Sequence, residues 1–173
     1  MTTSSVDFAG FFDYLLTARR RLLDWVGAQP SEVYTRKFPI GLGSIQATLV
    51  HVAAAEWAYV RRLSGGDVSL ADSPFTVDKQ PEFEPFVKTW SGQAATTRQT
   101  LADLKDPLRP VEFTSRIGAR PMRVRTTAGG IAGQVLFHEV HHRAQVMAML
   151  RAVGIAAENL DYSVLIWERT PIG

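Results

Sequence analysis

The chain has 173 residues, 46% of them hydrophobic and 21% charged, a formal net charge of +2 and no cysteine. Such a length predicts one domain over residues 1–173 that can fold without staples, and the missing thiols exclude disulfides, thiolate metal sites and cysteine nucleophiles. No apolar stretch approaches the ~20 residues of a membrane span, and residues 1–5 lack the basic start of a secretion signal, so no membrane partner and a cytoplasmic setting are expected.

Phe8, Phe12, Leu15, Leu22 and Val26 recur at helical spacing and predict a first helix over residues 6–26, capped by Asp7 and ended by Gly27 and Pro30. Arg19, Arg20 and Arg21 read as its solvated side. Residues 30–43, with two prolines and two glycines, form a connection. Ser44 is then the N-cap of a second helix reaching Leu63. One face of it carries Ile45, Leu49, Val52 and Leu63. The adjacent face carries Ala47, His51, Ala54 and Ala58, small enough to admit a neighbouring helix closely. Ser64, Gly65, Gly66 and Asp67 stop it.

Residues 67–81 read as irregular. A third helix over residues 81–104 presents Phe83, Phe86, Val87, Trp90, Thr97, Leu101 and Leu104 inward, with Pro85 shifting its start and Gly92 costing about 1 kcal/mol relative to alanine. Alternation over residues 111–116 and 121–126, around the turn at residues 117–120, predicts a short β-hairpin whose outer face carries the arginines of residues 116–125. Pro121 restricts that strand to an edge or a strand start. Gly129 and Gly130 lead into a fourth long helix over residues 131–153, closed by Gly154, and a short last helix covers residues 162–167. The fold class is therefore all-α, a four-helix bundle with a small β-hairpin before the fourth helix and a short C-terminal helix.

The fourth long helix has a seam of Ile131, Val135, His138, His142, Gln145, Met149 and Ala152, apolar at its ends and polar in the middle. Two imidazoles and an amide facing a bundle core are costly unless something satisfies them. His138 and His142 are one turn apart on one face, the geometry by which a helix offers two nitrogens to a metal. If the second and fourth helices are neighbours, His51 supplies a third. Three imidazole ligands leave coordination positions open, an arrangement of catalytic rather than structural sites. His141 lies about 60° from His138 on the wheel and reads as flanking, or as a substitute for His142. Gln145, about one turn beyond His142 on the seam, reads as a support for a ligating ring or as a substrate contact. Glu56 and Glu139 are not clearly aimed at the site, so no general base is assigned, and Arg143 reads as a surface or interface charge.

The run His138-Glu139-Val140-His141-His142 also satisfies the H-E-x-x-H pattern of zinc peptidases, with Glu139 as base and Glu158 or Asp161 as possible third ligand. That reading leaves His51 unexplained and lacks a sheet edge on which to align a peptide. No concentrated basic stripe or recognition helix is present, so nucleic acid is not an expected partner.

Two segments carry a resemblance. The second helix reads Ser44-Ile45-Gln46-Ala47-Thr48-Leu49-Val50-His51-Val52, then Ala55-Glu56-Trp57 and Arg62-Leu63-Ser64-Gly65-Gly66; the fourth reads His138-Glu139-Val140-His141-His142-Arg143-Ala144-Gln145-Val146. Both are similar to the DinB (damage-inducible) superfamily of bacterial metal-binding four-helix bundles, over nearly the whole chain in length, helix order and loop placement. Ala144 stands where that pattern usually has glycine. The resemblance places the metal triad on His51, His138 and His142, and implies a divalent cation (zinc, nickel or similar) and a homodimer. It also implies thiol-dependent chemistry of the transferase or isomerase kind, with a low-molecular-weight thiol and a small-molecule substrate as partners. The expected function is a metal-dependent enzyme, a thiol S-transferase or a hydrolase acting through metal-activated water. The alternative is a non-enzymatic metal-binding stress-response protein.

Overall fold

The computed structural model describes residues 6–66, 68–76, 81–117 and 120–172. In chain order these form helices α1 (Phe8–Gly27), α2 (Ser31–Thr35) and α3 (Ile45–Leu63), a 3₁₀ turn (Leu70–Asp72) and α4 (Phe83–Ala102). Strands β1 (Pro110–Ile117) and β2 (Arg120–Thr127) follow, and then helices α5 (Ala128–Ala152) and α6 (Tyr162–Ile166). The all-α bundle with one inserted hairpin is the expected architecture; α2 adds one short helix within the segment read as a connection. Asp67 of the stop signal and Gly118 and Ala119 of the hairpin turn lie outside the described residues.

Helices α1, α3 and α5 begin where side chains satisfy their first free N–H groups. Asp7 accepts from the Gly10 amide at 2.8 Å, Ser44 from Ala47 at 3.0 Å and Thr127 from Gly130 at 3.0 Å. Gly129 and Gly130, expected to precede α5, lie inside its first turn. Gly129 packs so closely on the chain before the hairpin that a Cβ there would sit 2.9 Å from the Pro107 carbonyl oxygen, a contact only glycine permits. In α4 the helix starts at Phe83, leaving Pro85 in the first turn, where its missing N–H breaks no helical bond.

Phe12, Leu15 and Leu22 of α1, Ile45, Leu49 and Val50 of α3, Phe86, Trp90 and Leu101 of α4, and Ile131, Val146, Met149 and Leu150 of α5 are all buried in one core. At the far end of the proposed α5 seam, Ala152 is exposed. The hairpin is antiparallel, pairing Pro110 with Thr127 and Ile117 with Arg120. Both strands are edges of this two-stranded sheet, which accommodates Pro121. Outside it, Glu112 bridges Arg125 at 2.8 Å and Arg123 at 3.4 Å, so those arginines lie on the solvated face as expected.

The arginine run of α1 needs correction. Arg19 is buried, only 5% exposed, while Arg20 and Arg21 are exposed. Its guanidinium donates to Glu139 of α5 through Nε and Nη2 and to Glu56 of α3 through Nη2, and it lies 4.0 Å from the Trp90 ring centre. Glu56 also accepts from Trp90 Nε1 at 2.8 Å and Thr97 Oγ1 at 2.6 Å, both on α4. Burial alone would lower the Arg19 pKa, but the two carboxylates overcome it and raise the value above the usual range. All four long helices thus meet in one buried, charge-assisted network.

Candidate metal centre

Helix α5 presents two different polar faces. Towards α3 it offers His138 and His142, and towards α1 it offers Glu139 and Arg143, each pair one turn apart. Helices α3 and α5 are neighbours, and His51 projects from α3 between the two α5 imidazoles. Its ring centre lies 4.8 Å from each of theirs, and theirs are 4.5 Å apart. The His51 and His138 Nε2 atoms face each other at 3.0 Å.

Potential ligand atoms of His51, His138 and His142 all lie within 4.8 Å of one another, close enough to hold a metal ion together. Two nitrogens about 2.0–2.1 Å from one zinc ion at a tetrahedral angle are about 3.3 Å apart. The observed 3.0 Å separation is close to that spacing. Without a shared cation, one Nε2 must carry a proton and donate it to the other.

The tautomer of His142 is set by its neighbour. His142 Nδ1 donates to Gln145 Oε1 at 2.8 Å, and the Gln145 amide donates in turn to His141 Nε2 at 3.1 Å. This order leaves His142 Nε2 with a free lone pair. His141 is exposed and stands outside the triad, where it orients Gln145 rather than replacing His142.

Burial holds all three triad imidazoles below the usual histidine range. For His138, burial and the neighbouring His142, His51 and His141 push the pKa down to about 4. The His142 bond to Gln145 partly opposes its lowering. Neutral rings are the ligating form.

The structure also decides the remaining sequence readings. Glu139 is turned to Arg19 of α1, so the H-E-x-x-H run has no free carboxylate to serve as base, and neither Glu158 nor Asp161 joins the imidazole group. Glu56 is likewise taken by Arg19, Trp90 and Thr97. Arg143 is not a surface charge. It is 6% exposed and donates to the Tyr14 hydroxyl and, at 3.4 Å, to the Leu160 carbonyl. The segment after α5 folds back over it, which a single helical wheel cannot show.

Sequence reading missed one neighbour of the site. Gly41, with φ of +51°, brings its backbone so near Gln145 that a Cβ would land on the side-chain amide. Beside His51 opens a cavity of about 610 Å³. A larger cleft of about 820 Å³, around Leu63, Thr96 and Asp103, contains no imidazole.

Fold and site together define a helical-bundle protein with a three-histidine cluster able to hold a metal ion. The DinB family model matches residues 1–171, and the chain belongs to that family. Among curated relatives, "Protein DinB" of Bacillus subtilis (strain 168) is 24% identical over 169 residues, covering 93% of this chain and 95% of its own length.

Proposed function

We propose that the protein is a divalent-metal-dependent enzyme acting on a small molecule, most readily as a thiol S-transferase, with His51, His138 and His142 as ligands to zinc or nickel. The observation that carries the reading is the convergence of three neutral imidazoles, two of them with Nε2 atoms 3.0 Å apart, beside an open cavity. A divalent cation held there would acidify a thiol or water reaching its remaining positions. Gln145 fixes the lone pair of His142, and the α3 alanines leave room for the reactants.

The carboxylates favour thiol transfer over hydrolysis. No carboxylate lines the cavity among the described residues, and Glu56 and Glu139 are both engaged by Arg19. Hydrolysis gains from a positioned base to direct water, whereas an acidified thiol needs none. In the transfer, the thiol loses its proton to solvent and its sulfur bonds to the electrophilic carbon. The leaving group departs with the electron pair of the broken bond.

No helix of the described residues is long and apolar enough to cross a membrane, and a cytoplasmic setting is part of the same reading. So is a second copy of the chain as partner, supported by the apolar surface that Phe11, Phe137 and Val140 expose.

Metal analysis of wild type and His142→Ala, followed by thiol conjugation to a model electrophile, tests the reading. Bound metal and turnover lost together support it. Metal bound without turnover leaves the non-enzymatic alternative, and undiminished metal in His142→Ala removes the ligand assignment.

A further inference from the structure

Beyond His51, the same stripe of α3 continues through Ala54, Ala55, Ala58, Tyr59 and Arg62 at helical spacing, and all of them line the cavity of about 610 Å³. The face that sequence reads as a seat for a neighbouring helix is, past His51, the wall of a cavity made by missing side-chain bulk. At the far end, Arg62 lies against two rings. Its guanidinium carbon lies 4.2 Å from the Phe113 ring centre and 5.7 Å from that of Tyr59.

Among the described residues no carboxylate pairs with Arg62. Glu112, on the same strand as Phe113, is already held by Arg125 and Arg123. Partial burial lowers the Arg62 pKa from the usual arginine value, with the Tyr59 hydroxyl partly opposing it. A guanidinium held against aromatic rings, with no carboxylate on it among the described residues, is suited to take a planar carboxylate through its N–H groups.

We infer that the cavity takes a small molecule bearing a carboxylate, with that carboxylate on Arg62 and its reacting end at the imidazole cluster. Only the role of the reacting end rests on the metal reading above. Eleven residues of helix separate the two Cα atoms by about 16 Å; both side chains tilt the same way, and a polar contact at each end takes up about 3 Å, so a ligand of about 10 Å spans the gap.

Calorimetric titration of the zinc-loaded protein with ω-mercaptohexanoate and ω-mercaptohexanol tests this. The carboxylate thiol is expected to bind at least about tenfold more tightly, the scale of one charge-assisted hydrogen bond. Arg62→Met abolishes that preference without changing the affinity for mercaptohexanol, and Arg62→Lys retains part of it. Equal binding of the two thiols to wild type, or a preference surviving in Arg62→Met, overturns the inference. The wild-type comparison and Arg62→Lys decide it even if Arg62→Met does not fold. Hexanoate added to metal-free protein, followed by amide NMR shifts, separates this result from the metal reading. An Arg62-dependent response without zinc uptake keeps the carboxylate site and removes the metal, whereas zinc uptake without Arg62 dependence in either titration removes the carboxylate site alone.

Discussion

His142 enters the site with Nδ1 bonded to Gln145, and Gln145 is itself held by His141 and backed by the Gly41 loop. Partners of this kind fix the tautomer and direction of a ligating ring, and losing one typically lowers metal affinity 10- to 100-fold. Gln145→Leu should therefore weaken zinc binding by about that factor in competition with a chromogenic chelator, while His142→Ala should abolish stoichiometric binding. Gly41→Ala should resemble Gln145→Leu, because its methyl group displaces the amide. Wild-type affinity in both variants would show that the ring needs no such support.

Acidity acts on the same residues. The triad imidazoles are held below their unfolded values, His138 to about 4. Between an unfolded value near 6.5 and that folded value, the unfolded chain binds more protons. The stability contributed by these neutral rings is thus full above the unfolded pKa and falls as the pH drops through this window. Urea unfolding of metal-free protein between pH 7.5 and 4.5 should show that decline, and His138→Asn should flatten it. An unchanged slope in the variant would assign the decline to other groups.

At the scale of elements, the buried network decides how the helices register. Glu56 accepts from Arg19, Trp90 and Thr97, so removing its carboxylate leaves a buried indole N–H and hydroxyl without an acceptor and takes one of two carboxylates from the buried guanidinium. Glu56→Ala should destabilise the protein by about 3–5 kcal/mol, which lowers Tm by roughly 6–20 °C for a chain of this size. Calorimetric scans would check this, and a loss below about 1 kcal/mol would mean that the helices keep register without the network.

The same contrast marks what the sequence could reveal. Asp7 and Ser44 were readable as caps because capping is local chemistry between residues three apart. His51, His138 and His142 were readable because one helix showed two imidazoles at a one-turn spacing and another carried, on an inward face, the only histidine outside that helix. Arg19, Glu139 and Arg143 were not, since each lies on a helix flank whose burial depends on which neighbour covers it. Gly41 was hidden for a related reason: a loop has no periodicity, and its contact with Gln145 spans more than a hundred residues of chain.

On the scale of the whole molecule, one surface breaks the usual polar covering. Val6 just before α1, Phe8 and Phe11 at its start, Phe137 and Val140 on α5 and Tyr162 on α6 line an apolar cleft of about 270 Å³, and Phe137 is 73% exposed. Exposed apolar surface is where the proposed second copy would dock, and self-association through it would bring the same patch of each copy together about a two-fold axis. Phe137 adjoins His138 in sequence but lies about 100° round the helix from it, so its substitution need not disturb the imidazoles. Phe137→Glu should therefore convert a dimer into a monomer in sedimentation equilibrium while the metal content stays at the wild-type level. A wild-type protein that sediments as a monomer would remove the second copy from the reading. A variant that loses metal together with the dimer would instead show that the two copies support each other's sites, tying association to the chemistry of α5 rather than to its apolar flank alone.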